Sequence, residues 1–481
     1  MKKYVMMFPV AALLLSGVCL SGEMSAKDKT AKKESAVKQE FKNHFKLYGF
    51  IRNFFAFDTR ESTAGTADLF YYMPKDEKLN AVGDDLNAVP SFRFLALTSR
   101  VGLDVTGYQV GRTKFGAKVE ADFYAGLSSS SDKGVFPNQS KVNGVAQFRL
   151  RQAYMTVGWD DLKACGKENN ASVFLKVGQA WHPMAADQPH VFSLETGAPF
   201  NAFSRTPQVL MDAAIGKNFV ISAAALWQMQ YLSQGPEGAS ADYIKYACTP
   251  EGYVGLTVKS NNGFLARAGV DILSIKPRRL AAINSETGKP VKDVEEEKDK
   301  MIQYKVSDRI TTVSPYIYLQ YKHKLFEVKA KTIFSQGGEH MNLMSGYGIS
   351  RNDFEDGHYE YTPFQTSSTW ASLSYGKKWQ VMLMGGYVQN LGTKGELVNV
   401  DGKASAGDFY FSANASKSFN SLWRVIPSVV YNIGKFSLGL EYNCTAARYG
   451  DGKSYNAYGL SLDGLHWVYN HRIQMMVKFT F

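Results

Sequence analysis

The chain has little cysteine and proline, and it has no long apolar run beyond its first residues. Its 481 residues include 4 Cys and 15 Pro. Cys165, Cys248 and Cys444 remain after the N-terminal segment, without a CxxC spacing, so neither a disulfide framework nor a zinc site is expected. No segment after Ala26 approaches the 18 or so consecutive apolar residues of a transmembrane helix. This excludes a helical membrane protein.

Motifs of the common enzyme classes are also missing. GxSxG, HExxH, P-loop and dinucleotide fingerprints do not occur in a convincing setting. His182 and His190 flank Asp187, but such spacing on a loop arises easily by chance. The sequence therefore predicts no catalytic residue, no cofactor and no metal site.

Residues 1–26 have the pattern of a secretory signal peptide. Two lysines form a positive start, an apolar stretch covers 5–15, and a small-residue region leads to cleavage after Ala26. Cys19 raises a lipoprotein alternative, but Val18 stands before it, where a small residue is needed. We therefore expect the protein to be exported, and an ordinary cleaved signal peptide is favoured over a lipoprotein signal.

Charge and export together narrow the choice of partners. The formal net charge is +11, and loss of residues 1–26 removes two lysines and one glutamate, which leaves +10. A basic surplus fits nucleic acid, an acidic membrane surface or anionic solutes, and export argues against nucleic acid. Residues 27–44 are polar and lysine-rich, which predicts a solvated periplasmic segment or a short helix that assists assembly.

Residues 45–481 are dominated by alternation of apolar and polar side chains with period two. About 16 or 17 segments alternate in this way, the clearest from Arg112 to Gly126 and another near 406–417. Aromatics make up 13% of the chain, and the last segment ends on Phe481. The pattern predicts an all-β fold, a transmembrane antiparallel β-barrel of 16 strands, with 18 as the second choice because such barrels take even numbers.

One face of these strands carries the charged side chains. That face should line the lumen, because Lys or Arg facing lipid at the midplane costs about 2–4 kcal/mol. The predicted pore-lining residues are Arg100, Arg112, Lys114, Lys118, Glu120, Asp122, Arg149, Arg151, Lys176 and Arg472. Further inward cations are Arg267, Lys329 and Lys331. The cationic excess favours anions, although pairing across the wall would also explain the charges.

In segment 145–159, strict alternation would place two arginines on the same face of the strand as apolar residues. Arg149 and Arg151 lie on one face, yet Met155 and Val157 fall on the same side. A β-bulge near Gln152 or Ala153 is expected to re-aim the strand.

The connection 181–205 is the candidate constriction. It combines three prolines with aromatic, apolar and charged residues, and an exposed loop has little reason to hold so much apolar surface. Folding into the lumen would bury that surface, whereas packing at the rim or against a neighbouring subunit is the alternative. The loop would bring five residues to the pore: His182, Asp187, His190, Glu195 and Arg205.

Several segments resemble the DcaP-like, porin-type outer-membrane channels. They are VGQAWHPM, TGAPF, SRTPQ, FRLRQAYMTV, MGGYVQNLG and VIPSVVYNIGK, and the similarity spans most of 45–481. The resemblance implies a 16-stranded barrel, commonly trimeric, that passes small anionic solutes such as dicarboxylates. It also implies that Arg149, Arg151 and Arg205 help to line the pore. The short segment 27–44 departs from the family pattern, which leaves the trimer less certain than the barrel.

The sequence thus predicts a porin in the bacterial outer membrane that is not an enzyme. Its expected partners are outer-membrane lipid and lipopolysaccharide, small anionic solutes and two further copies of itself. A structural or adhesive barrel with a largely blocked lumen is the alternative. An energised transporter would need a plug domain before the barrel, and residues 27–44 are too few for one.

Overall fold

The computed structural model describes residues 44–65, 70–96, 98–125, 146–164, 166–194, 196–286, 301–353 and 356–481. The signal peptide, nearly all of 27–44, Cys165 and the predicted loop residue Glu195 lie outside these ranges.

Sixteen strands of the described residues form one closed antiparallel barrel, in which each strand pairs with the next and the last pairs with the first. The prediction of 16 strands is confirmed. The strands are β1 Phe45–Asp58, β2 Arg100–Val110, β3 Thr113–Ala125, β4 Ala146–Ala164, β5 Lys167–Trp181, β6 Arg205–Ile215, β7 Phe219–Leu226, β8 Glu251–Lys259, β9 Phe264–Ile275, β10 Ile310–His323, β11 Phe326–Gln336, β12 Glu360–Gly376, β13 Trp379–Thr393, β14 Phe419–Ile433, β15 Phe436–Tyr449 and β16 His466–Thr480.

The outer surface of the barrel is apolar, as the alternation predicts. On β16, Ile473 and Met475 are about half exposed, whereas Gln474 between them and Arg472 before them are buried inside. Leu440 on β15 is likewise exposed at 48%. Leucine, isoleucine and methionine at such exposure fit a surface covered by lipid.

The two ends of the barrel differ in the length of their connections. At one end the strands are joined by short turns, for example Gly111–Arg112 between β2 and β3, where Gly111 has φ +59°. At the other end lie the long connections, including 182–204, 337–359 and 394–418. Short periplasmic turns and long extracellular loops are usual in barrels of this kind.

The long loops contain short strands, one α-helix and several 3₁₀ turns. The short strands are Ser62–Gly65, Phe70–Pro74, Leu280–Asn284, Met301–Lys305, Gly346–Arg351, Asn399–Val400, Lys403–Ala404, Phe409–Phe411 and Tyr455–Asn456. A further short strand, Ser91–Leu95, belongs to the wall, where it pairs with residues 54–58 of β1. The helices are the α-helix Asp242–Ala247 and the 3₁₀ turns Pro183–Ala185, Glu339–Met341 and Ala406–Asp408. In the part of the chain that is described, no helix has the length and apolar character needed to cross a membrane.

Two predicted strands differ from the structure. Segment 406–417 is not a wall strand: it forms a 3₁₀ turn and the short strand Phe409–Phe411, which pairs with Gly346–Arg351 inside a loop. Its alternating aromatics pack on residues of β12 and β14 and of other loops, for example Phe409 on Phe364 and on Tyr455. Its period of two therefore reflects this packing and not a place in the wall. The second is the segment from Phe219 to Tyr231, whose period-two alternation predicts one strand over its whole length. β7 ends at Leu226, where the chain leaves the wall.

The seam between β1 and β16 closes the barrel. Pairing runs from Phe50 opposite Thr480 to Asp58 opposite Arg472. At the latter position the Arg472 guanidinium donates two hydrogen bonds of 2.8 Å to the Asp58 carboxylate, which is 0% exposed. Asn470 and Arg93 donate to the same carboxylate at 2.8 and 2.9 Å. Arg472 therefore faces inward as predicted, but its guanidinium is engaged by Asp58 and joins β16 to β1.

Asp58→Asn is expected to lower the free energy of unfolding by about 3–5 kcal/mol, because it leaves a buried guanidinium without its charge partner. Urea unfolding of the barrel in detergent, followed by gel mobility of unheated samples, measures the change. Lys75→Gln removes an ion pair to Glu61 whose side chains are 46% and 38% exposed, so it should cost about 0–1 kcal/mol. Equal stability of the two variants would contradict the assigned role of the seam.

Candidate pore and its inner loop

The connection between β5 and β6 crosses the lumen. We call residues 182–204 the inner loop. Its backbone reaches strands on the far wall: Ser368 on β12 donates to the Phe200 carbonyl at 2.7 Å, and the Phe192 amide donates to Glu441 on β15 at 3.2 Å. Such partners exist only inside the barrel, so the loop folds inward and does not pack at the rim.

Inward cations of the far wall hold the inner loop. Lys331 on β11 is 2% exposed, and its ammonium donates to Asn201 at 2.9 Å and to the Met184 carbonyl. Lys329 donates to the Gln188 carbonyl at 3.3 Å. Arg424 on β14 donates to the Ala198 carbonyl at 3.0 Å. These buried cations therefore replace water as donors to loop carbonyls, which otherwise would be unsatisfied.

Two aromatic side chains of the inner loop fit against glycines of the far wall. Phe200 is fully buried, and a Cβ on Gly386 of β13 would lie 2.6 Å from its ring. A Cβ on Gly439 of β15 would lie 3.0 Å from the ring of Phe192. Gly386 belongs to the MGGYVQNLG segment, so one physical role of that segment is to make room for the loop.

The predicted loop residues are separated in space. Asp187 pairs with Arg267 on β9, and His190 lies 3.6 Å from Glu327 on β11. Burial and the nearby charge of Lys329 lower the pKa of His190 to about 4, so its ring is neutral at pH 7. His182 instead contacts Glu251 at 2.7 Å. The three residues therefore do not form a common site.

The near wall, opposite these anchors, carries an arginine cluster that we define as Arg52, Arg100, Arg149, Arg151 and Arg205 with Glu120 and Asp122. Arg151 bridges both carboxylates, at 2.9 Å to Glu120 and 2.7 Å to Asp122. Arg149 forms a bidentate pair with Asp122 at 2.9 and 3.0 Å. Arg100 lies 3.5 Å from Glu120. The cluster thus contains five guanidinium groups and two carboxylates, so its positive groups outnumber its negative ones.

A β-bulge places the central arginines on the inner face. The register between β3 and β4 shifts where Glu120 faces Gln152 and Ala121 faces Leu150, so Arg151 is the extra residue. Leu150 and Met155 are then exposed outside, at 47% and 64%, while Arg151 is 6% exposed. The predicted bulge is present, one residue before the expected position, and it resolves the conflict of faces.

Arg205 and Arg52 complete the cluster. Arg205, the first residue of β6, is 2% exposed; its guanidinium lies 5.0 Å from the Trp181 ring centroid and interacts electrostatically with Arg149 and Arg151. Its Nη1 has no hydrogen-bond partner among the described residues. Arg52 on β1 interacts with Arg100 and Arg151. The sequence reasoning missed Arg52, although its alternation with Ile51 could have identified it.

The other predicted pore residues occupy different positions. Lys118 bonds Asp104 at 2.8 Å on the inner wall, and Lys176 lies over the Tyr154 ring at 5.2 Å. Arg112 is wrongly placed by the prediction: it is exposed in the turn between β2 and β3. Lys114 pairs with Asp160 near that same end, and its side chain is 55% exposed. The period-two pattern assigns a face but cannot show where the strand leaves the barrel.

Two cavities follow one another along β4, β5 and β6. The cavity nearer the long loops has about 430 Å³ and is lined by Arg149, Gln179, Arg205, Gln230 and Tyr231, among others. The cavity nearer the short turns has about 330 Å³, and its lining includes Gln152, Lys176, Trp181, Asp212 and Arg267. The first cavity is therefore lined by two residues of the arginine cluster, whereas the second lies between the wall and the start of the inner loop, at Pro183 and Ala186.

The fold is that of an outer-membrane porin-type barrel. The structure of the outer membrane channel DcaP of Acinetobacter baumannii is similar to it with a TM-score of 0.55 and 17% identity, over 91% of this chain and 97% of that one. The anion-selective porin from Comamonas acidovorans matches with a TM-score of 0.46 and 11% identity, over 91% and 99% of the two chains. No protein-family model and no curated protein sequence match the chain. The resemblance to DcaP-like channels is confirmed for the fold.

Lys331→Met is expected to loosen the inner loop, because it leaves the Met184 carbonyl without a buried donor and Asn201 Oδ1 with only the Trp370 indole N–H at 3.3 Å, a loss of about 1–3 kcal/mol. Hydrogen exchange of the barrel in detergent should then show about tenfold faster exchange of inner-loop amides, such as that of Phe203, which donates to the Met341 carbonyl at 2.8 Å. Lys322→Met, at a side chain 61% exposed, is the matched control. Unchanged exchange in Lys331→Met would show that the lysine does not hold the loop.

Proposed function

We propose that this protein is an outer-membrane channel through which small hydrophilic solutes, preferentially anions, diffuse along the near wall. The observation that carries the proposal is the arginine cluster, where five guanidinium groups meet two carboxylates beside the cavities of β4–β6. A wall with surplus positive charge raises the local concentration of anions and repels cations. No catalytic role is assigned.

The inner loop supports a narrow channel. It fills the lumen against β9–β15, together with the buried aromatics of other loops, such as Phe409 and Phe411, whose rings lie 5.2 Å from Phe364. The space left beside β4–β6 is small, so the channel would pass small solutes and exclude larger ones. The inner loop is thereby proposed as the constriction, with Arg205 at its end.

The chemistry of the cluster favours carboxylates as the transported anions. A guanidinium presents two parallel N–H groups that match a carboxylate, and Arg205 retains an Nη1 without a partner among the described residues. A dicarboxylate could leave one arginine for the next along the wall without losing both contacts at once. Dicarboxylates are therefore the proposed substrate class.

Arg205→Gln is expected to lower the chloride-to-potassium permeability ratio by at least about twofold. One unit charge some 5–8 Å from a passing ion is worth about 0.5–0.8 kcal/mol even in water. Because Arg205 has no close ion pair among the described residues, its removal leaves no new buried carboxylate unpaired. Single-channel reversal potentials in a KCl gradient, recorded for refolded protein in planar bilayers, measure the ratio.

The matched control is Arg351→Gln, which removes an arginine 54% exposed that pairs with Asp353 and should leave the ratio unchanged. Equal ratios for Arg205→Gln and the wild type would contradict the placement of selectivity at the cluster. A cation-favouring wild type would overturn the anion preference. A folded barrel without open channel steps would favour the alternative, a structural or adhesive barrel with a blocked lumen.

We further propose location in the bacterial outer membrane, in contact with lipid and lipopolysaccharide, after removal of residues 1–26, and assembly as a homotrimer. The apolar outer surface of the strands supports the location. Native mass spectrometry of the full-length protein extracted in mild detergent is expected to give three times the mass of the processed chain, with heated samples as the monomer control. A monomer under the same conditions would contradict the trimer and leave the channel proposal unaffected.

A further inference from the structure

A second cluster of ionisable side chains lies where the inner loop begins. It consists of His182, Glu251 on β8, Asp271 on β9 and His340 in the 3₁₀ turn Glu339–Met341, all at most 2% exposed. One ligand atom from each of His182, Glu251 and Asp271 lies within 4.8 Å of the others. His340 Nε2 lies 3.1 Å from Glu251 Oε1 and 3.8 Å from Asp271 Oδ2.

Hydrogen bonds alone leave this cluster incomplete. Both histidines direct Nε2 at the same oxygen, Glu251 Oε1, at 2.7 and 3.1 Å. Glu251 Oε2 and Asp271 Oδ1 are buried without a hydrogen-bond partner among the described residues, and so is Oε2 of the adjacent Glu339. Three buried carboxylate oxygens without donors are costly. A cation held by Glu251 and Asp271 would offset the buried negative charge of these two side chains.

The two rings are oriented differently. The Nδ1 of His340 lies 3.1 Å from the Gly337 carbonyl, a contact that places the proton on Nδ1 and turns Nε2 toward the carboxylates, as in metal-binding histidines. The Nδ1 of His182 instead accepts the Met184 amide at 3.1 Å, so its Nε2 carries a proton and donates to Glu251. His340 is thus suited to bind a metal and His182 to position a carboxylate ligand.

We propose that Glu251, Asp271 and His340 bind a divalent transition-metal ion such as Zn²⁺, with His182 holding Glu251 in place. Ligands about 2.0–2.2 Å from an ion and 90–120° apart lie roughly 2.8–3.8 Å from one another, which matches the His340 distances of 3.1 and 3.8 Å. Two carboxylates balance the charge of the ion, and an imidazole ligand favours a transition metal over Mg²⁺ or Ca²⁺.

The metal would compete with a proton at His340. Displacement of a proton is the usual accompaniment of metal binding to imidazole. The ion would link β8 and β9 to the segment that bonds the inner loop through Phe203 and Met341, and so would fasten the loops inside the barrel.

The test uses the full-length barrel, purified in detergent without a histidine tag, stripped with a chelator and titrated with Co²⁺. We expect one Co²⁺ per chain, with a visible absorption band, and a higher melting temperature when Zn²⁺ is added. Glu251→Gln and His340→Ala should each weaken Co²⁺ binding at least about 100-fold. His358→Ala, which removes a histidine paired with Asp356 at the surface, should bind as the wild type does.

Wild-type protein that binds no Co²⁺, or Glu251→Gln and His340→Ala variants that bind it as tightly as the wild type, would overturn the proposal. Circular dichroism and the gel mobility of unheated samples establish that each variant retains the barrel. Because the wild-type titration stands alone, a variant that fails to fold does not decide the outcome. Channel conductance does not enter this test, so its result is independent of the proposed transport function.

Discussion

Closure of the sheet is the constraint on which the rest of this structure depends. A strand in lipid cannot leave backbone N–H and C=O groups unpaired, since each would cost several kcal/mol, and only a sheet without edges avoids this. Here β1 meets β16 over the whole length from Phe50 to Asp58, and the Phe481 amide donates to the Gly49 carbonyl at 3.0 Å. The buried pair of Asp58 and Arg472 fixes the register of that seam, because a slip of one residue would turn one partner outward.

A barrel of sixteen strands encloses more space than its wall side chains can fill, and the inner loop occupies much of it. The loop brings carbonyl groups into a place with little water, where buried Lys331 and Arg424 act as their donors. The positive side chains that the period-two pattern places inside the barrel therefore fall into two groups with different roles. Those on the far wall bind the loop, and those on the near wall remain beside the open cavities.

On the near wall, ion pairing is compatible with the proposed selectivity for anions. Glu120 and Asp122 hold Arg149 and Arg151 in fixed positions by short, bidentate bonds, which lowers the repulsion among the arginines without cancelling their excess. From the sequence, the inward cationic side chains had two alternative explanations: ion pairs with acidic residues of the wall, or a preference for anionic solutes. In the folded protein the same two carboxylates pair with arginines and leave the excess of guanidinium groups on which the proposed anion preference rests.

From the sequence, the period of two predicted the barrel and the face of most charges, because it assigns inside and outside residue by residue. The choice of 16 strands came from the count of alternating segments together with the rule that such barrels have even strand numbers. The sequence also identified the bulge in β4, since Arg149 and Met155 could not otherwise lie on opposite faces. It misread segment 406–417, because alternation looks the same in a wall strand and in a packed loop, and it could not show that Arg112 lies beyond the end of β2. Only the tertiary structure decided which cations remain beside the cavities and which hold the inner loop. It alone brought His182, Glu251, Asp271 and His340 together, because contacts between residues far apart in the chain depend on barrel closure and loop insertion and leave no periodic trace in the sequence.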